Sequence, residues 1–405
     1  MKKLAMKTRY EVINSIKAVY SKTKTRKEKT EIINSLVVST DLSRSRVKKL
    51  LRESIKKRRR KPGSGRKPIY DYRIVPYLEK LWELSDFASG KRFCAAVNDL
   101  LDALIRFNEI AIDVAWEKQI RNISSATFDR LIKKTRNRYQ LKGRSTTKPG
   151  TLLRKHIPIR LGNDWQENQA GYTEIDLVAH CGETVAGEYI NTLCLTDIYS
   201  SWTKTRAIIN KAQKHTFDAL EFIRESLPFP LKGIDSDNGK EFINFHLYNY
   251  CVQEDIMFTR SRSYRKNDNC HVEQKNWHVV RRSLGYARLE GQRTVDLMNQ
   301  YYALLDLRIN FFDTHFKLIA KEREGPKIKK RYDGPKTAYR RVLDDQTVSQ
   351  DRKDRLTEIY LSINPIILKN DMMKLHKEIM NRTVGHDLYD SSLKGDISSG
   401  LHFNE

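Results

Sequence analysis

At Gly171 the chain changes its hydrophobic period, and this limits the folds open to it more than any other feature. Upstream, apolar residues recur at helical spacing. From Gly171 onward "GYTEIDLVAH", "GEYINTLCLTDIYSSW" and "TKTRAIIN" alternate or cluster β-formers, which predicts three successive strands of an antiparallel meander. An amphipathic helix, "AQKHTFDALEFIRESL", follows. Then come a short strand "LKGID", a helix "GKEFINFHLYNYCVQED", the strand "IMFTRS" and a further helix from near Asp268. Strands first, then alternating helix and strand, give a mixed sheet with helices on its faces, so the expected class is multidomain α/β.

Asp176 stands between Ile175 and Leu177 on the first of these strands. A lone carboxylate in an apolar run is expensive to bury, so it must be paired, protonated, at a strand end or bound to a metal. Asp237 falls at the carboxyl end of the fourth strand, where "SDNG" turns the chain away. Glu273 lies on the helix "NDNCHVEQKNWHVVRRSL", with thirty-five residues between it and Asp237, enough for one helix and one strand. Other acids compete for the same role. Asp235 is an alternative to Asp237 and otherwise a strand-end support behind it, while Glu174 shares a face with Asp176 and is an alternative ligand. Asp197 reads as a structural hydrogen-bonder, and Glu241 as a first-turn acid favoured by the helix dipole. A calcium loop is excluded, because counting from Asp235 puts Gly239 fifth and His246 twelfth, where that loop needs Gly sixth and Glu twelfth.

The segments "EID", "SDNG" and "NDNCHVEQKN", in this order and spacing, resemble the D, D-35-E catalytic core of retroviral-type integrases and of the related bacterial insertion-sequence transposases. The resemblance covers Gly171 to about Leu284, and "SRSYRKNDNCHVEQKNW" looks much like the corresponding stretch of the bacterial members. It implies a ribonuclease-H-like core over residues 171–290, with Asp176, Asp237 and Glu273 as catalytic acids that hold two Mg²⁺ (or Mn²⁺) ions. The implied activity is that of a DDE transposase, which cleaves phosphodiesters at element ends and joins the freed 3′-hydroxyls to target DNA. Double-stranded DNA is then the substrate, and a homo-oligomer on DNA the working form. Paired divalent ions suit an in-line displacement, and such ions favour hard carboxylate oxygens. A catalytically retired DNA-binding regulator and a hydrolytic nuclease of the same fold stay open as alternatives. Two departures accompany the likeness. No His/Cys zinc module precedes the core, as residues 1–150 hold one cysteine and no histidine, and this points to the bacterial branch. Trp277 and Val280 stand where retroviral members carry lysines, which leaves Lys275 as the DNA-contact candidate on that helix.

Ahead of the core, residues 1–55 read as a helix-turn-helix. Ile32, Ile33 and Leu36 line one helix, Val47, Leu50, Leu51 and Ile55 the next, and "STDLS" lies between them. Arg44, Arg46, Lys48 and Lys49 face outward on the second helix, as a recognition helix requires, although a plain helical hairpin with a solvated basic face has the same pattern. Residues 56–69 form a basic linker in which Arg58, Arg59, Arg60, Arg66 and Lys67 can follow phosphates. Residues 70–142 read as a second helical DNA-binding domain, with Ser124 capping a helix that carries Phe128 inward and Arg130, Lys133 and Lys134 outward. A connector (143–170) precedes the core. Behind the core lie a helical and basic region (291–383), expected to open with a helix from Arg293 to Phe316, and a tail (384–405) expected to be disordered. The net charge of +26 and pI near 9.7 suit a polyanionic partner, and no apolar run reaches spanning length, so the expected location is the bacterial cytoplasm, at the nucleoid.

Overall fold

The computed structural model describes residues 5–52, 69–70, 72–138, 168–237, 239, 242, 245–260, 272, 275–324 and 327–383. These divide into two compact units, Met1–Ile69 and Tyr70–Glu405. Among the described residues no helix is long and apolar enough to cross a membrane.

The first unit packs three helices, α1 (Met6–Lys22), α2 (Arg26–Thr40) and α3 (Arg44–Arg52). Thr25 caps α2 by accepting from Glu28 N (3.3 Å), and Asp41, in the left-handed region at φ 54°, ends it. The core is Ile13, Ile33, Leu36, Val47, Leu50 and Leu51. Sequence periodicity disclosed α2 and α3, whereas α1 supplies the fully buried Ile13 that covers them.

The second unit opens with α4 (Val75–Leu84), α5 (Gly90–Arg106), α6 (Val114–Arg121), α7 (Ser125–Leu131) and α8 (Lys133–Arg138). Ser124 caps α7, accepting from Thr127 N at 3.3 Å, and Phe128 stacks on Phe93 with centroids 3.9 Å apart. The apolar faces of α4 to α7 share one core with the sheet and with the helices near the carboxyl end. Polar links cross the same interface. Asp99 accepts from Arg340 (2.6 Å), Glu109 accepts from Asn364 (2.8 Å), and Asp86 pairs with Arg282 (3.0 Å) and Arg308 (3.2 Å).

The sheet has β1 (Tyr172–Ala179), β2 (Asn191–Asp197), β3 (Thr203–Ile208), β4 (Gly233–Ser236) and β5 (Met257–Arg260) in the order β3-β2-β1-β4-β5. β1, β2 and β3 pair antiparallel, and β4 and β5 join β1 in parallel. This is the mixed sheet expected from the order of elements. Gly171 sets where it starts. Its φ is +118°, and a Cβ there would lie 2.6 Å from Pro230 O, so only glycine lets the chain enter β1 beside the approach to β4. α9 (Gln213–Glu225) packs on β2 and β3, and α10 (Phe245–Gln253) on β5.

After β5 come a π-helical segment α11 (Asn276–Arg281), the short α12 (Arg282–Leu284) and the long α13 (Gln292–Phe311). α13 lies along β3 and closes its open edge with side chains. Asn310 accepts from Thr203 N (2.9 Å) and donates to Thr203 O (2.8 Å). Asn299 does the same for Ala207 (2.8 and 3.1 Å), and Asp306 accepts from the Thr205 hydroxyl (2.8 Å). Positions 299, 306 and 310 fall on one helical stripe, so the helix stands in for a missing strand and protects the edge. The helix expected to reach Phe316 stops at Phe311. The chain then pairs Thr314–His315 (β6) with Lys336–Thr337 (β9), and Arg92 and Thr314 exchange bonds across to α5 (2.5 and 2.9 Å). Between them lies the ribbon β7 (Leu318–Glu324) and β8 (Lys327–Tyr332). α14 (Ala338–Asp344), α15 (Gln350–Ser362) and α16 (Pro365–Met380) complete the unit.

Candidate active site

β1 and β4 run in parallel with Glu174 beside Asp235 and Ile175 beside Ser236. Asp176 and Asp237 each directly follow the last pair of that register, Ile175 and Ser236. Along the chain the acids fall in two rows two residues apart, Glu174 and Asp235 paired in the ladder and Asp176 and Asp237 just past it. The inner row, Glu174 and Asp235, is fully buried, and the outer row, Asp176 and Asp237, is half-buried.

Each acid has an identifiable partner. Asp235 accepts from the Thr259 hydroxyl of β5 at 2.5 Å, and Glu174 accepts from Val272 N at 3.0 Å. Asp176 accepts from the side chain of Asn276 (2.7 Å) and from Leu177 N (2.8 Å). Asp237 accepts from Gly239 N (2.8 Å), so its own carboxylate closes the turn that carries the chain off the sheet. Glu273 lies outside the described residues, as do Arg58, Arg59, Arg60, Arg66 and Lys67. In sequence it falls between Val272 and Asn276, the two positions that β1 holds through Glu174 and Asp176.

Among the described residues no group of three or more His, Cys, Asp or Glu side chains is placed to hold a metal ion. Asp176 and Asp237 carry hard carboxylate oxygens and are half-buried, a chemistry that suits Mg²⁺ or Mn²⁺ better than a softer metal. Cys194 stands opposite Asp176 on β2 but is fully buried, and burial, with Asp176 and Asp306 adding to it, pushes its thiol up to about 12. It is neither a thiolate ligand nor a nucleophile at neutral pH.

Lys275, read from sequence as a DNA contact, is buried, and its ammonium points inward to His315 at 2.9 Å. Burial lowers its pKa to about 8, while Asp313 and Cys194 oppose the shift. Burial and the neighbouring Lys275 also push His315 well below its ordinary value. Because an ammonium can only donate, the neutral ring accepts through Nε2. Behind them Asp313 is buried with His278 at 3.5 Å, and Arg308, His278 and His315 keep it ionised against its burial. Lys275 was expected to meet DNA, whereas this part of the helix turns into the protein.

The remaining expected cations lie on surfaces. Arg44, Arg46, Lys48 and Lys49 are exposed on α3, with Arg44 bonded to Asn34 and Arg46 to the Tyr10 hydroxyl (3.1 Å). Arg130, Lys133 and Lys134 are exposed on α7 and α8. Asp197 is wholly structural, since it accepts from Gly171 N (2.8 Å) and from Ser200 N and Oγ (2.7 and 2.6 Å). Sequence reasoning missed Asn276. Its spacing of three from Glu273, one helical turn, was the available signal.

No protein-family profile matches the chain. It is 33% identical over 336 residues to "Uncharacterized protein y4rM" of Sinorhizobium fredii (strain NBRC 101917 / NGR234), covering 82% of this chain and 95% of that protein. Among solved structures, the catalytic core domain of HTLV-2 integrase in complex with magnesium aligns with 37% of this chain and 93% of its own, at 15% identity and a TM-score of 0.28. The catalytic core domain of BIV integrase aligns with 43% of this chain and 94% of its own, also at 15% identity and a TM-score of 0.28.

Proposed function

The chain belongs to one family with the Sinorhizobium fredii protein y4rM, and on that premise, with the geometry of the two acid rows, we propose that it is a DDE-type polynucleotidyl transferase of the bacterial transposase kind. What supports this reading is the parallel pairing of Glu174 with Asp235, with Asp176 and Asp237 each two residues further along the chain, together with the bond from Asn276, three residues past Glu273, to Asp176.

In this reading Asp176, Asp237 and Glu273 hold two Mg²⁺ or Mn²⁺ ions. When bound, the ions supply Lewis-acid activation of the attacking and leaving oxygens of a phosphodiester. The protein's own part is placement. Asn276 fixes the rotamer of Asp176, the Asp237–Gly239 turn holds the second carboxylate at the sheet end, and Glu174 secures the chain at Val272 beside the third acid. The substrate is duplex DNA. A water first frees a 3′-hydroxyl at the element end, and that hydroxyl then attacks the target strand. The α2–α3 pair and the exposed cations of α7 and α8 are proposed to bind DNA, with the chain working as a homo-oligomer on it in the cytoplasm.

The test is a magnesium-dependent cleavage and joining assay on duplexes bearing the element's own ends. Wild type is expected to cut and join, and Asp176→Asn, Asp237→Asn and Glu273→Gln to bind the ends without joining them. Binding without cutting in either metal would favour a retired regulator, and cutting without joining a hydrolytic nuclease.

A further inference from the structure

The segment that follows Glu273 in sequence is held from two sides. Toward β1, Asn276 donates to Asp176 (2.7 Å) and Arg281 donates to Ala179 O (2.8 Å). On the other side Lys275, His278 and Arg282, spaced three and four apart along one stripe, meet partners from elsewhere in the second unit. Lys275 lies 2.9 Å from His315, and His278 lies 3.5 Å from Asp313. Arg282 pairs with the Asp86 carboxylate (3.0 Å) and donates to the Asp86 backbone oxygen (3.2 Å).

The two acids behind this stripe are tied to each other. Arg308 of α13 pairs with Asp86 (3.2 Å), and Arg308 and His278 keep the buried Asp313 ionised. The ties form a loop that leaves the segment at Arg282, passes through the α4–α5 turn and α13, and returns at His278. Val279, Val280 and Leu284 are buried and supply adhesion, but the hydrophobic effect has no direction. Charge-assisted bonds do have one, and these set how the segment is rotated toward β1.

The turn that presents Asp86 is fixed by its own bonds. Asp86 and Phe87 both lie in the left-handed region, at φ 53° and 57°, which is uncommon for residues other than glycine and persists only where the surroundings over-determine it. Here they do. Phe87 N donates to Trp82 O (3.0 Å), Ser85 Oγ donates to the same oxygen (2.7 Å), and the Trp82 indole donates to Ala88 O (2.9 Å) while packing edge-on against Phe87.

We propose that Asp86, from the helical block ahead of the sheet, is a positioning residue for the candidate site. Through Arg282 directly, and through Arg308 and Asp313 to His278, it orients the segment that aims Asn276 at Asp176. The inference rests on the proposed function in taking Asp176 as a metal ligand.

The test compares Asp86→Asn with Asp99→Asn in the full chain. Asparagine visits the left-handed region as aspartate does, so the first variant removes the charge and keeps the turn. Asp99 ties the same block to α14 and α15 through Arg340 and Tyr360 instead, and its variant is the control. Both are expected to lower the urea midpoint. In calorimetric titration Asp86→Asn is expected to weaken Mn²⁺ binding about tenfold, and Asp99→Asn by less than about twofold. In an Asn276→Ala background Asp86→Asn should weaken binding by less than about twofold, because the group it acts through is gone, while its effect on the urea midpoint remains. Equal weakening by the two single variants would mean that only lost stability is being read, and would overturn the proposal. A full tenfold loss in the Asn276→Ala background, or unchanged binding in Asp86→Asn alone, would overturn it too. A wild type that neither binds Mn²⁺ nor cuts DNA removes the catalytic reading. Amide exchange across residues 275–284 then decides the tie by itself: faster exchange in Asp86→Asn than in Asp99→Asn supports it, and equal exchange overturns it.

Discussion

Glu174 and Asp235 pair across β1 and β4, and Asp176 and Asp237 each lie two residues further along the chain with the same chemistry. Glu174 and Asp235 are fully buried, and protein donors from Val272 and Thr259 meet them. Asp176 and Asp237 are half-buried, and their described bonds are to Asn276 and to the chain immediately following each acid. The difference teaches that carboxylate content does not make a site. The inner acids are fully buried against protein donors, and the outer ones stand half-buried where the β1–β4 ladder ends. A swap of roles between the rows would break this account.

The largest contrast is in chemistry. Asp176→Asn and Asp237→Asn should each lower cleavage by about 10³-fold or more with little change in melting temperature. Asn276→Ala should cost about 10- to 100-fold in activity or in the metal concentration required, because it frees Asp176 without removing it. Partial rescue by Asn276→Gln is not expected, as the longer side chain misplaces the amide, whereas DNA affinity should be unchanged in both. On the inner row, Glu174→Ala leaves Val272 N–H buried without its acceptor. That should destabilise by about 1–3 kcal/mol, seen as a fall in the urea midpoint, while Glu174→Gln retains the acceptor and most of the stability.

The smallest effect separates acid sensitivity of the rows from that of their surroundings. His180, just past β1, is fully buried, and burial with Arg281 beyond it lowers its pKa to about 3. The unfolded chain binds a proton there below about 6.5 and the folded chain does not until about 3. Stability should therefore fall as pH drops through that window, by at most about 1.4 kcal/mol per pH unit. His180→Gln should flatten the slope in a pH series of urea midpoints without changing the metal dependence of cleavage.

Much of this was legible in sequence. A carboxylate inside "EIDLV" has few affordable explanations, and "SDNG" carries its own turn chemistry, so Asp176 and Asp237 could be named as candidates, and the meander of β1 to β3 was read beside them. Asn276 was missed, because its one signal, a spacing of three from Glu273, gives no sign of the partner it meets across the fold. Lys275 was misplaced for a related reason. Cations are assigned to solvent by default, and only tertiary packing shows His315 and Asp313 around this one. Amphipathic faces at 75–131 showed that something covers them, but not that the β6–β9 pair and α16 pack there. In the ribbon, alternating charge rather than alternating hydrophobicity marks the strands, and hydrophobic periodicity passes over it.

The most direct measurement is calorimetric titration of Mn²⁺ into the full chain and its variants. The account predicts that wild type binds, that Asp176→Asn and Asp237→Asn each lose most of that binding, and that Glu174→Gln retains it. Loss of binding in Glu174→Gln together with retention in Asp176→Asn would place the metal on the inner row and contradict the account.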